Sequence, residues 1–128
     1  MKRFLLPILL TLVAVVVAGA LAVASRLAAR PAGPPRTVEM SMTDYTFNGN
    51  NPTLTFAPGE RVRFVVRNDE DSPVKHNFRI VGLDVPCERD LLPGESREVT
   101  VTLPRSGEFA YTCCTHPGMG GKLVIEGN

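Results

Sequence analysis

Between Tyr111 and Met119 the chain reads Tyr-Thr-Cys-Cys-Thr-His-Pro-Gly-Met, with thiols at 113 and 114, an imidazole at 116 and a thioether at 119. Sulfur with imidazole is the donor set that suits copper, and two His, one Cys and a weak axial Met make up an electron-transfer copper site. Cys113, His116 and Met119 supply three of those four donors within seven residues. The one other histidine is His76, in Lys75-His76-Asn77-Phe78, where a polar loop gives way to a strand-like run. It is the only residue that can supply the second imidazole. Each donor also has a plainer reading. Met119 could fill a gap in a core, Cys113 could be a buried thiol on the face of Phe109 and Tyr111, His76 could be a solvated loop residue, and Pro117-Gly118 could be only a turn. Their conjunction favours the metal.

A site whose fourth donor lies so far back in the chain needs a rigid frame to close it. From Thr37 onward the sequence breaks into short alternating runs separated by turn residues. Val38, Met40 and Met42 share one face, as do Val62, Phe64 and Val66, and again Val99, Val101 and Leu103. Tyr45–Phe47, Thr53–Phe56, Phe78–Val81, Phe109–Cys113 and Leu123–Ile125 read as further strands, while Leu83–Leu92 lacks a period and reads as a loop. Pro58-Gly59-Glu60 and Pro93-Gly94-Glu95 each open an alternating strand, which points to repeated turn chemistry. Seven or eight short strands with turns between them predict an all-β sandwich.

The first 36 residues differ from the rest. Met1-Lys2-Arg3 precedes an uncharged apolar run from Phe4 to Ala24. At about 21 residues it is long enough to span a bilayer as a helix, whereas Ala22-Val23-Ala24 before Ser25 resembles a signal-peptidase site. Residues 1–24 are therefore expected to be a hydrophobic helix acting as a signal-anchor or a cleaved signal peptide, 25–36 a Pro/Ala/Arg-rich linker and 37–128 the domain. Either fate of the first segment places the domain outside the cytoplasm, membrane-anchored or secreted. The formal charge of +1 conceals an asymmetry: five of fourteen basic residues precede Thr37, and the domain carries nine basic against thirteen acidic residues. An acidic domain without a basic run argues against nucleic acid as a partner.

His76-Asn77-Phe78, followed 35 residues after His76 by Tyr111-x-Cys113-x-x-His116-x-x-Met119-x-Gly121-x-Leu123, resembles the type 1 copper proteins, the cupredoxins. The short interval from Cys113 to Met119 is most similar to amicyanin, with plastocyanin and pseudoazurin having a longer one before the Met. The resemblance covers Val38 to Glu126. It implies a Greek-key β-sandwich, copper cycling between its I and II states on His76, Cys113, His116 and Met119, and Asn77 bracing the Cys loop by hydrogen bonding. It further implies a monomeric carrier that passes single electrons between redox proteins through the exposed edge of His116.

Cys114 departs from that pattern, since the family has a small polar residue there. With three cysteines in the chain it could pair with Cys87 in a disulfide, which an exported location permits. It could also stay free, or compete for the metal and move the site toward zinc or Cu(I). The last option, with Met40 and Met42, sustains a rival expectation: a copper-storing or copper-delivering protein of the same fold. A metal-free sandwich used for protein contacts is a third. Catalysis is not expected, because four protein donors leave no open position for a substrate and no acidic dyad or nucleophile motif is present.

Overall fold

A computed structural model of the protein describes residues 33–126. The expected hydrophobic segment 1–24 and the linker as far as residue 32 lie outside the described residues. Among the described residues there is no helix, and so none long and apolar enough to cross a membrane.

Eight strands follow in order: β1 (Arg36–Thr43), β2 (Thr46–Phe47), β3 (Leu54–Phe56), β4 (Arg61–Asn68), β5 (Arg79–Val81), β6 (Ser96–Thr102), β7 (Gly107–Thr112) and β8 (Gly120–Ile125). They form two four-stranded sheets, ordered β2-β1-β4-β6 and β3-β8-β7-β5. Both sheets are mixed. β1 runs parallel to β4 and β3 parallel to β8, while the remaining pairs are antiparallel. Only β1–β2 and β7–β8 are joined as hairpins; every other connection changes sheet. The expectation of an all-β sandwich of seven or eight strands holds.

Alternation explains the layering. Met40 and Met42 of β1 and Val62, Phe64 and Val66 of β4 turn inward and are buried, while their neighbours are half-buried or exposed. From the second sheet come Phe56, Ile80, Tyr111, Leu123 and Ile125. The rings of Phe47, Phe64, Phe78 and Tyr111 pack together at centroid separations of 5.2–6.3 Å, within the range that favours tilted and edge-to-face pairs. β1 starts one residue inside the expected linker, because Arg36 pairs in register with Val62, reaches Glu60 and lies over the Phe56 ring.

The two Pro-Gly-Glu segments make the same turn. Gly59 and Gly94 take positive φ, the left-handed conformation required of the third residue of such a turn. In each, the Glu carboxylate accepts the N–H of the residue three earlier, Ala57 or Leu92, and the Glu N–H returns a bond to that residue's carbonyl. The second turn ends the loop that runs beside His76, so it reaches the site.

Candidate metal centre

β7 ends at Thr112, and the chain turns through 113–119 before β8 begins at Gly120. Two backbone bonds close this loop: Cys113 N–H to the Met119 carbonyl at 3.0 Å and Met119 N–H to the His116 carbonyl at 3.1 Å. Gly118 supplies the positive φ that lets so short a loop turn back. Cys113 and Met119 are buried, His116 is half-buried, and Cys114 and Thr115 face outward. A closed loop leaves its donors little freedom.

His76 lies on the segment that leads into β5, the strand paired with β7. It stands alone in a two-way bridge with Leu91, with N–H to Leu91 carbonyl at 3.2 Å and Leu91 N–H to His76 carbonyl at 2.7 Å. The strand proper starts only at Arg79, later than the alternation suggested. With its main chain pinned on both polar groups, the fully buried imidazole is fixed in place.

The donor atoms meet. His76 Nδ1 lies 3.1 Å from His116 Nδ1, Cys113 Sγ lies 3.5 Å from His116 Nδ1, and the three groups fall within 4.8 Å of one another. Donors held about 2.0–2.3 Å from a common ion stand about 3.3–3.8 Å apart, so this spacing fits one metal ion among the three. Met119 lies buried at the far end of the same loop. His76, Cys113 and His116 are thus brought together, with Met119 buried in the loop that carries two of them.

Asn77 ties this arrangement together. Its Oδ1 accepts the Cys114 N–H at 2.6 Å, its Nδ2 donates to Asp90 at 2.8 Å, and its own N–H points at Cys113 Sγ at 3.5 Å. Thr115 Oγ1 stands 3.3 Å from the same sulfur. Cys87 and Cys114 are joined in a disulfide with Cα atoms 6.5 Å apart, and Cys113 is left as the free thiol. The loop before Pro93-Gly94 is thereby attached to the donor loop twice, through sulfur and through Asn77–Asp90.

Three participants carried no signal in the sequence. Glu70 places Oε1 2.8 Å from His76 Nε2. Asn68, wholly buried at the end of β4, donates from Nδ2 to the carbonyls of Val74 and Leu91 and accepts the Glu70 N–H at Oδ1. Tyr45, 54% exposed, sets its ring edge-on to His116 and His76 at centroid distances of 4.9 and 6.0 Å. Polar loop residues of these types are common, and only the spatial meeting of segments 43–46, 68–76 and 91–95 gives them a role.

Comparison with known proteins agrees with this fold. The family model for the cupredoxin-like domain matches residues 11–125. Among solved structures, auracyanin B is 23% identical, with 76% of this chain and 93% of that chain covered and a TM-score of 0.61. A dithionite-reduced auracyanin from Roseiflexus castenholzii is 20% identical over 73% of this chain and 99% of that one, with a TM-score of 0.59. The copper-containing nitrite reductase of Thermus scotoductus is 22% identical over 74% of this chain but only 28% of its own, with a TM-score of 0.58. At these identities the likeness is one of fold. No curated protein matches the chain.

Proposed function

Since the chain belongs to the cupredoxin-like domain family, we propose that it is a type 1 copper protein that carries single electrons between redox partners. The observation that carries the reading is the convergence of His76 Nδ1, His116 Nδ1 and Cys113 Sγ within 4.8 Å inside a rigid β frame. His76, Cys113 and His116 would hold the ion, with Met119 as the weak axial donor. Bound copper would supply a one-electron couple between its I and II states. The protein's part is to keep the donors still. The bridge at His76 and the closed loop 113–119 hold them in nearly the same places whichever state is present, which keeps reorganisation small. Cys113 offers a strongly coupled sulfur path. Among the donor residues only His116 reaches the surface, so its ring is the contact offered to a partner.

The similarity to a nitrite reductase, of which this chain spans 28%, concerns one domain's fold. We assign no reaction to the chain itself, because four protein donors leave no position for a substrate. The copper-handling alternative loses its support in the geometry: Met40 and Met42 fill the core and Cys114 is spent in the disulfide. The same proposal places the domain outside the cytoplasm, where a disulfide persists, as a monomer meeting redox proteins.

A visible spectrum of the copper-loaded protein tests the reading. An intense band in the Cu(II) form and a reversible one-electron wave are expected, and Cys113→Ser should abolish the band. A colourless Cu(II) complex of the unsubstituted protein would refute the four-donor site.

A further inference from the structure

We propose that Glu70 is a positioning residue of this centre. Its carboxylate fixes His76 in the tautomer that turns a bare Nδ1 toward His116 and Cys113, and its negative charge behind the ring favours the oxidised over the reduced state of a bound metal. The inference rests on the copper reading given above.

The geometry is specific. Glu70 Oε1 stands 2.8 Å from His76 Nε2, with the carboxylate side chain 7% exposed and the imidazole fully buried. With the carboxylate as acceptor, a neutral His76 ring donates from Nε2 across this contact, which leaves Nδ1 with its lone pair facing His116 Nδ1. The contact is built into the frame. Asn68 holds Glu70 by its N–H and clamps the far end of the same loop through the Val74 and Leu91 carbonyls at 2.9 Å. Leu91 in turn bridges His76, so one buried amide sets both members of the pair.

A carbonyl oxygen in the same place would orient the ring equally well. A carboxylate adds a full charge in a water-poor site, where its field is weakly screened. Among the described residues no lysine or arginine pairs with Glu70; the nearby Arg67 is engaged by Asp69 at 2.6 Å. The charge therefore acts on the imidazole and what the imidazole holds. The oxidised metal carries one more positive charge than the reduced one, so a fixed negative charge stabilises it more and lowers the reduction potential.

Glu70→Gln separates the two roles, because the amide oxygen can still accept the Nε2 proton while the charge is gone. In the metal-free full chain, nitrogen NMR of His76 should find the proton on Nε2 in the unsubstituted protein and in Glu70→Gln, and a mixture of tautomers in Glu70→Leu. In the copper-loaded protein, Glu70→Gln should keep the visible band and raise the reduction potential. A neutral His76 ring with its proton on Nδ1 and none on Nε2 in the unsubstituted metal-free protein overturns the positioning role without any variant having to fold. An unchanged potential in Glu70→Gln with the band intact overturns the electrostatic role. No copper wave in the unsubstituted protein would overturn the copper reading, a different failure from a wave that the substitution leaves in place.

Discussion

Asp44 and Tyr45 both take positive φ, at 50° and 59°, as the two central residues of the β1–β2 hairpin. A tight hairpin turn of this kind ordinarily uses Asn-Gly or Asp-Gly, since side chains there cost about 1–2 kcal/mol each. Keeping tyrosine rather than glycine at that position sets an aromatic ring against the edge of His116. Tyr45→Ala should therefore leave stability within about 1.5 kcal/mol of the unsubstituted protein, since only an exposed edge-on aromatic contact is lost. If the Tyr45 ring covers part of the His116 edge, its removal should also speed electron exchange with small inorganic oxidants. Stopped-flow traces that superimpose on those of the unsubstituted protein would show that it covers nothing that matters for exchange. The cluster of His76, Cys113 and His116 was legible because few residue types suit copper and Cys113 and His116 lie three residues apart beside Met119. Tyr45, Glu70 and Asn68 were not. Their parts are fixed by backbone conformation and by which loops meet, and neither is written in residue type.

At the scale of elements, the β7–β8 hairpin is the piece that shapes the site. A side chain on Gly120 would land on the Tyr111 carbonyl, and one on Gly121 would come within 2.6 Å of the Tyr111 ring and 2.7 Å of the Asn51 carbonyl. Gly121→Ala is accordingly expected to destabilise the protein by roughly 2 kcal/mol or more, with urea midpoints as the measure. The disulfide gives a second expectation. Opening a crosslink between residues 27 apart should cost roughly 3.5 kcal/mol, so the double substitution Cys87→Ser with Cys114→Ser should unfold at lower urea. Its copper band should survive, since Cys113 remains. Loss of the band would show that the tether and not the fold holds the thiolate in place. The strands themselves were readable from alternation, as in Val62-Phe64-Val66. Which strands lie side by side was not, because β1∥β4 and β3∥β8 join segments that no hairpin connects.

For the molecule as a whole, Tyr111 links packing to pH. Burial pushes its hydroxyl up from the usual 10 to about 12, and that hydroxyl donates to the Pro52 carbonyl. Below the unfolded value the group is neutral in both states and its contribution is complete. Between about pH 10 and 12 the unfolded chain releases this proton and the folded one does not, so stability falls by about 1.4 kcal/mol per unit of pH. Urea midpoints should drop steeply across that window, and Tyr111→Phe should flatten the drop while lowering stability at neutral pH. Glu95 acts in the opposite direction: the Leu92 N–H and then the Arg89 side chain hold its carboxyl below the usual range. Its contribution is present above that range and fades as pH falls through the lowered value.

The bond between Cys87 and Cys114 also constrains the order in which this protein can be assembled. Three thiols allow three different single bonds, and two of them consume Cys113. In the folded domain Cys113 is hidden at 3% exposure while Cys87 and Cys114 lie at the surface, so folding itself selects the correct partner. A chain oxidised before it folds has no such guide and can lock away the thiol that the centre depends on. Production of a working centre is therefore a matter of sequence in time: the sandwich must close, or the metal must occupy Cys113, before the oxidant arrives.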